Sequence, residues 1–286
     1  MNPLKQCLWV PRRSCLSTGR PALSSIYGPK RWQSSIPHDG PPVTETNKTE
    51  ATMKRFWKNA TVGQKDGSYT VLLDHRALKT PSGNTLLVPP QKSLVSTLIA
   101  AEWENQETFL KHHALPMTAL ASRAIDAMVD DTTRAEVRQA LLDYLDTDTI
   151  CFYQDYPPQL VDLQAQHWDP LLSWARSTFG VELHTSESLL FNSQPDETKS
   201  KMDQIISTFD HWEMAAMERA TYATKSFIIA LALVKKHLTV EQAALAAQVE
   251  VASQIERWGE VEDTHDVDFH DVRRQLGSAA CLLSSL

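Results

Sequence analysis

The sequence has little of what marks a catalytic or nucleotide-binding protein. It contains only nine glycines in 286 residues, and they form neither a GxxxxGK[ST] phosphate loop nor a GxGxxG dinucleotide motif. A GxSxG nucleophile elbow and an HExxH zinc helix are also missing. The four cysteines, at positions 7, 15, 151 and 281, form no CxxC pair, so neither a zinc ribbon nor a disulfide framework is indicated. We therefore expect a protein that is not an enzyme and uses no cofactor.

Long apolar runs are absent as well. The longest strongly apolar run is Phe227–Val234, which has eight residues. A helix that crosses a bilayer needs roughly 20. We expect no membrane insertion, and we interpret this run as a buried helix.

Acidic residues are absent from the first 38 positions. Six basic residues and several serines are scattered through this stretch. A basic, serine-rich and acid-free N-terminus is typical of a mitochondrial transit peptide, which predicts targeting to the mitochondrial matrix. We assign residues 1–35 to that peptide and the polar, proline-containing residues 36–52 to a linker.

Without the six cations of the transit peptide, the chain has 22 basic and 35 acidic residues, a net charge of −13. Nucleic-acid binding depends on lysine and arginine contacts to phosphate. The charge therefore excludes nucleic acid as the expected partner and favours a basic protein surface.

The pattern over residues 53–129 predicts a small α+β domain. Strands are expected at 56–62, 69–73 and 85–88, and Asp66-Gly67 is a strong hairpin signal between the first two. Such an antiparallel sheet needs a cover for its apolar face. Apolar residues at helical spacing after Pro89-Pro90 predict the covering helix. A second helix is expected to begin with Thr118 as its N-cap.

Residues 130–286 predict an all-helical C-terminal domain. We expect one helix to begin at Thr132-Thr133 and another at Asp169, as N-cap before Pro170, ending at Gly180. Further helices are predicted at 196–218, 221–236 and 239–258, the last with Thr239 as its cap. The fold class is therefore α+β: an N-terminal antiparallel sheet covered by helices, then a helical domain.

The predicted helix 239–258 has two distinct faces. Leu245, Val249, Ala252 and Ile255 form an apolar stripe that we expect to face the core. Glu250, Gln254 and Arg257 recur at i, i+4 and i+7 on another face. That polar row is either a solvated face or a strip that recognises a partner.

The segment 260–271 holds six carboxylates and two imidazoles. These ligand types could bind a divalent metal, so a metal-dependent hydrolase using His265, Asp266 and His270 is the alternative function. Metal sites usually collect ligands from distant helices, whereas these residues are all local. This spacing favours an acidic segment that docks on a basic partner.

Glu102 and Glu104 flank Trp103 on the predicted covering helix. Carboxylates two residues apart on a helix point to different sides, so an acid–base pair is not indicated. The pattern favours one anchored aromatic residue with two surface acids.

Several short motifs, in order along the chain, resemble the ATP12 family, the mitochondrial chaperones of the ATP synthase F(1) alpha subunit. The N-terminal motifs are Arg55–Lys58, Tyr69–Asp74, Arg76–Pro81 and Ala101–Trp103 with Gln106. The next are Leu115–Thr118, Ile125-Asp126, Tyr144-Leu145 with Thr147-Asp148, Gln166 with Trp168–Pro170, and residues 248–266. The resemblance covers essentially all of the chain after the transit peptide. The family usually has glycine where His75 stands, which leaves the geometry of that turn open.

The resemblance implies a chaperone without turnover that binds the unassembled alpha subunit until the beta subunit replaces it. It implies that Glu250 is the main functional acid, with Glu262, Asp263 and Asp266 as weaker candidates. Gln254 and Arg257, from the same polar row, complete the residues expected to contact the partner. Trp103, Trp258 and Gly259 are expected to be structural, with Trp103 locking the covering helix onto the sheet. A structural subunit of a respiratory complex is a third hypothesis.

Overall fold

The first elements of the fold form a four-stranded antiparallel sheet. The computed structural model describes residues 53–187 and 193–285. The predicted transit peptide, 1–35, and linker, 36–52, lie outside the described residues. The strands are β1 (Ala60–Lys65), β2 (Ser68–Leu73), β3 (Arg76–Ala77) and β4 (Leu87–Val88). Strand β2 is central and pairs with all three others.

The first hairpin is the one that the sequence predicts. Lys65 pairs with Ser68, and the turn residues Asp66 and Gly67 both have positive φ, +52° and +74°. This geometry is that of a two-residue hairpin turn whose twist matches the strands. The first strand begins at Ala60 rather than at residue 56, because the backbone N–H groups of Lys58 and Asn59 donate to the Asp74 carboxylate instead of to a strand.

The turn after β2 resolves the question raised by His75. Positive φ falls on Asp74, at +55°, and His75 is not among the residues with positive φ. Aspartate tolerates the left-handed region better than most residues do. Histidine at position 75 therefore brings no backbone strain of this kind.

Eleven α-helices follow the strands within the described residues. They are α1 (Ser93–Glu104), α2 (Pro116–Asp126), α3 (Asp131–Asp146), α4 (Pro158–His167), α5 (Asp169–Phe179), α6 (Asp196–Ser207), α7 (His211–Thr224), α8 (Phe227–Val234), α9 (Val240–Ala247), α10 (Val249–Trp258) and α11 (Glu262–Leu282). Helix α1 covers the sheet, contacting β1 and β2. The predicted α+β fold class is confirmed.

Two helix ends follow their sequence signals. Gly180 ends α5 in the left-handed conformation, and Thr239 caps α9 in a capping box with Gln242.

Three predicted helices are shorter than expected. The range 196–218 breaks before Asp210, which caps α7; the range 221–236 breaks at Lys225, which is left-handed; and the range 239–258 breaks at Gln248.

Two predicted caps are wrong, and one predicted helix start is displaced. Helix α2 begins at Pro116, so Thr118 lies inside its first turn. Helix α3 has Asp130 as its N-cap, because the Asp130 carboxylate accepts from the backbone N–H of Thr133. Asp169 is not a cap, since Trp168 before it is already helical and joins α4 to α5.

Helix α8 lies at the centre of the helical part. All eight of its residues are buried, and α3, α5, α7 and α9 pack around it. A helix that is apolar on every side is stable only when it is surrounded. One hydrophobic core runs from the sheet side of α1 to this helix and on to α11. The division into domains at 53–129 and 130–286 stays a prediction.

Asp148 is a fully buried carboxyl group near the start of α8. Its carboxylate oxygens accept from the backbone N–H groups of Ile150, at 3.2 Å, and Ile228, at 2.9 Å. Burial disfavours the charged form and raises the pKa of Asp148 to about 6, against the opposing effect of these hydrogen bonds. The backbone at the start of α8 thus depends on one buried acid.

Candidate partner-binding surface

Helix α10 is a strongly amphipathic helix that is only partly covered. It packs mainly on α4, and only Val249 and Ser253 are buried among its ten residues. Two grooves run along it, one on each side of its exposed ridge. We call them the polar groove and the apolar groove.

The polar groove collects the row predicted from the sequence. Its lining is Pro157, Leu160, Glu250, Ser253, Gln254, Arg257 and Trp258, around a volume of about 280 Å³. The side chains of Glu250 and Gln254 are exposed and have no hydrogen-bond or ion-pair partner within the described residues. These two side chains keep their full hydrogen-bonding capacity for a partner.

An arginine between two exposed aromatic rings borders this groove. The Arg257 guanidinium lies 5.4 Å from the ring centroid of Tyr156 and 5.1 Å from that of Trp258. Tyr156 is 63% exposed and Trp258 is 70% exposed. Tyrosine, tryptophan and arginine are the residues that dominate binding energy at protein interfaces. We call Tyr156, Arg257 and Trp258 the aromatic cluster.

This exposure gives Trp258 a surface position, and the structural role expected of it stays a prediction. Trp258 is the last residue of α10, and its ring extends beyond the helices that could cover it. Gly259 has φ +87°, a value that L side chains rarely adopt, and its N–H donates to the carbonyl of Ile255. The structural role expected of Gly259 therefore remains a proposal with a physical reason.

The apolar groove corrects the expected core stripe. Of the four stripe residues, only Val249 is buried; Leu245 is 42% exposed, and Ala252 and Ile255 are half-buried. These side chains line a groove of about 370 Å³ between α4, α9, α10 and α11. Its other lining residues are Leu163, His167, Gln248, Val251, Glu256, Glu260, His265, Phe269 and Arg273. The stripe is amphipathic as predicted, but no element of the described chain covers it fully.

Two polar contacts keep the wall of the apolar groove in place. Arg273 donates to both carboxylate oxygens of Glu241, at 3.0 and 2.7 Å, and to Gln248 Oε1, at 2.8 Å. The hydrogen bonds from Arg273 lower the pKa of Glu241. Partial burial lowers the pKa of His167 and favours its neutral ring. The guanidinium of Arg273 is therefore already paired with the carboxylate of Glu241.

The acidic candidates lie apart from the polar row. Glu262, Asp263 and Asp266 are exposed on the first turns of α11 and do not line the polar groove. Their carboxylates have no ion-pair partner in the part of the chain that the structure describes. Negative charge at the start of a helix is favoured by the helix dipole.

The predicted metal ligands do not form a metal site. The described residues contain no group of three or more histidine, cysteine, aspartate and glutamate side chains placed to hold a metal ion. His265 Nδ1 instead accepts from the backbone N–H of Val261, at 3.0 Å, and so caps its own helix. The metal-dependent hydrolase is not supported. No helix in the described ranges combines the length and the apolar character of a membrane span.

Trp103 joins the N-terminal elements. Its indole N–H donates to Thr118 Oγ1 at 3.0 Å, and its carbonyl accepts from the Trp57 indole at 3.2 Å. Glu102 accepts from the N–H groups of Met117 and Thr118, at 2.6 and 2.9 Å, so it satisfies the first turn of α2. Glu104 accepts from Ala60 N–H at 2.6 Å. The two carboxylates point in different directions as predicted, but Glu102 is half-buried and is not a surface acid, because it binds the first turn of α2.

Tyr156 and Phe269 are the interface candidates that the sequence analysis missed. Tyr156 stands just before Pro157-Pro158, where Pro157 is the N-cap and Pro158 the first residue of α4, so its ring lies outside the helix. Phe269 lies on α11 with the Arg273 guanidinium 3.4 Å from its ring centroid. The available signal for Tyr156 was its position beside a proline pair. Phe269 gave no such signal, because it lies within an acidic segment that we interpreted by its charge alone.

Comparisons with known proteins agree with this architecture. Residues 54–176 match the family model of the ATP12 chaperone protein. Protein atp12, mitochondrial, from Schizosaccharomyces pombe is 34% identical over 241 residues, 82% of this chain and 83% of that protein. Protein ATP12, mitochondrial, from Saccharomyces cerevisiae is 29% identical over 278 residues, 83% of this chain and 86% of that protein.

Solved structures share the fold. The crystal structure of Atp12 from Paracoccus denitrificans has a TM-score of 0.70 at 25% identity, over 81% of this chain and 97% of that one. A protein from Agrobacterium tumefaciens has a TM-score of 0.72 at 30% identity, over 81% of this chain and 85% of that one. The identity to the fission-yeast protein extends well beyond the family-model match, and the chain belongs to the ATP12 chaperone family.

Proposed function

We propose that this protein binds the unassembled alpha subunit of the F(1) sector of ATP synthase in the mitochondrial matrix and prevents its aggregation until the beta subunit replaces it. A ring subunit exposes a large apolar interface before assembly. A protein that covers this interface needs a binding surface and no catalytic centre. We therefore propose that it acts without turnover.

The aromatic cluster beside the polar groove is the observation that carries this proposal. An exposed tryptophan and an exposed tyrosine on either side of one arginine present apolar ring surface to water and suit burial against another protein. The unpartnered Glu250 and Gln254 lie in the same groove. We propose Glu250, Gln254 and Arg257 as the residues that orient the client, with Glu262, Asp263 and Asp266 adding attraction to a basic client surface.

The proposed location has two supports. The basic, acid-free N-terminus is typical of a transit peptide, and the two fungal relatives are both named mitochondrial. We therefore propose the mitochondrial matrix as its location.

Capture of isolated alpha subunit tests the proposal. Purified protein without its transit peptide should keep alpha soluble in the absence of nucleotide and metal, and should capture alpha but not beta. Equal capture of both subunits would contradict a specific chaperone of alpha. Steady co-sedimentation with mature ATP synthase would instead favour the structural-subunit hypothesis.

Two charge-reversal variants locate the surface. Glu250→Lys should weaken capture of alpha about tenfold or more, because it places a cation where the proposed contact is acidic. Glu136→Lys makes the same change at an exposed position of α3 and serves as the matched control. Both variants should keep the wild-type melting temperature, and equal capture by both would place the contact elsewhere.

A further inference from the structure

We infer that the apolar groove receives a basic amphipathic helix of the client, so that the chaperone supplies a temporary helix-packing site. This inference rests on the proposed function for the identity of the client. It adds a second contact, on the opposite side of α10 from the polar groove, with its own chemistry.

The floor of the apolar groove has the form of an incomplete helix-packing site. Val251, Ala252 and Ile255 project from α10 toward Leu245 and Phe269, and all five side chains remain at least partly exposed. Helices pack when the ridge of one fills the groove of another. The small side chain of Ala252 lets an added backbone come close. An amphipathic helix laid in such a groove is a recurring mode of recognition.

The charge around the groove indicates the sign of the charge that its occupant should carry. Residues 250–271 contain eight acidic residues and one arginine. Glu256 and Glu260 line the groove itself, and neither has an ion-pair partner among the described residues. The one cation in the lining, Arg273, is already bound by Glu241 in a two-pronged pair. Unpaired acids around an apolar floor complement a helix with one apolar face and flanking lysines or arginines.

Binding of a synthetic peptide tests this independently of the client. The probe is a leucine–lysine peptide of about four helical turns with all leucines on one face. The protein without its transit peptide should bind it more tightly than a scrambled peptide of the same composition. It should bind a leucine–glutamate peptide of the same pattern least. Equal binding of the leucine–glutamate peptide would overturn the inference.

Groove variants then locate the peptide. Ala252→Trp fills the floor, and Glu256→Lys with Glu260→Lys reverses the rim; each change should raise the dissociation constant of the leucine–lysine peptide about tenfold. The matched controls, Ala135→Trp and Glu136→Lys, lie on exposed positions of α3 and should change it by less than about twofold. Unchanged binding by Ala252→Trp would overturn the inference. So would a dimer, seen by sedimentation, that Ala252→Trp dissociates, because a second copy of the chain would then be the occupant.

Capture of alpha subunit by the same variants separates the two proposals. If wild-type protein captures alpha and Ala252→Trp captures it equally well, the groove inference fails while the proposed function stands. If wild-type protein binds the peptide in the groove but does not capture alpha, the proposed function fails and the groove keeps its chemistry for another client. Loss of both peptide and alpha binding in Ala252→Trp supports the inference.

Discussion

The surroundings of Trp103 and the surface around Trp258 contain similar residue types, but the first region is buried and the second is exposed. Trp103 is 9% exposed, and both its indole N–H and its carbonyl are bonded to neighbouring elements. Trp258 is largely exposed, with the Arg257 guanidinium beside its ring. The acids differ in the same way: Glu102 and Glu104 hold backbone N–H groups, whereas Glu250 and Glu256 are unpaired in the described chain. Residue type alone therefore does not separate a residue that builds the fold from one that meets a partner.

The largest expected effect comes from placing the same charge at the two tryptophans. Trp103→Arg removes a buried ring and places a cation in its buried site, which should lower the free energy of unfolding by about 4 kcal/mol. Trp258→Arg should change it by less than about 0.5 kcal/mol. Urea unfolding of both variants measures the difference. Similar losses would mean that the ring of Trp258 is also needed for the fold.

A smaller effect is expected from the pH dependence of Asp148. Its pKa is about 6 in the folded protein against an ordinary 3.8, so the folded state holds a proton between these values that the unfolded chain has released. The contribution of this group to the free energy of unfolding therefore falls by about 3 kcal/mol as pH rises from about 4 to about 6, and is constant above that.

Replacement of the buried carboxyl group checks this sign. Asp148→Asn should flatten the fall in unfolding free energy between pH 4 and pH 6, measured by urea titration at several pH values. Asp266→Asn makes the same change on an exposed residue and should keep the wild-type profile. A slope that survives in Asp148→Asn would assign the pH dependence to other groups.

Removal of the Glu102 carboxylate should cost less again. Glu102→Ala leaves the N–H groups of Met117 and Thr118 without their acceptor and should destabilise the protein by about 2 kcal/mol. Glu260→Ala, at an exposed acid of the apolar groove, should be within about 0.5 kcal/mol of wild type. Thermal and urea unfolding compare the two, and an equal loss would contradict the division between building and binding acids.

The smallest effect on stability is expected at Arg257. Arg257→Ala removes only exposed ring contacts, so the free energy of unfolding should change by less than about 0.5 kcal/mol. Capture of alpha should nevertheless weaken about tenfold, because the aromatic cluster loses its central cation. Arg76→Ala, at an exposed arginine of β3, should change neither quantity. A variant that unfolds more easily but still captures alpha would make Arg257 a structural residue.

Local signals in the sequence predicted the local parts of the fold. The Asp66-Gly67 hairpin, Gly180 as the end of α5 and Thr239 as the cap of α9 each depend on the conformational preferences of one or two residues. Thr118 failed as a cap because the acceptor for its helix comes from Glu102 on α1. A contact between residues distant in the chain cannot be deduced from the spacing within one helix.

The candidate site was predicted in part for a related reason. The i, i+4, i+7 spacing placed Glu250, Gln254 and Arg257 on one face, and the structure puts them in one groove. The apolar stripe of Leu245, Ala252 and Ile255 was also predicted, but its partner was assumed to be the core. A hydrophobic periodicity shows which face of a helix is apolar and does not show what covers that face.

Helix α8 determines when the hydrophobic core of this chain can form during synthesis. The centre of the core arrives only with Phe227–Val234, after four-fifths of the sequence, and α11 still has to pack against α7. Because synthesis begins at the N-terminus, the earlier helices expose many apolar side chains until α8 has been made and they can pack around it. Truncation anywhere before Phe227 would yield a fragment prone to aggregation, so a protein proposed to shield another chain itself needs protection until its last fifth is made.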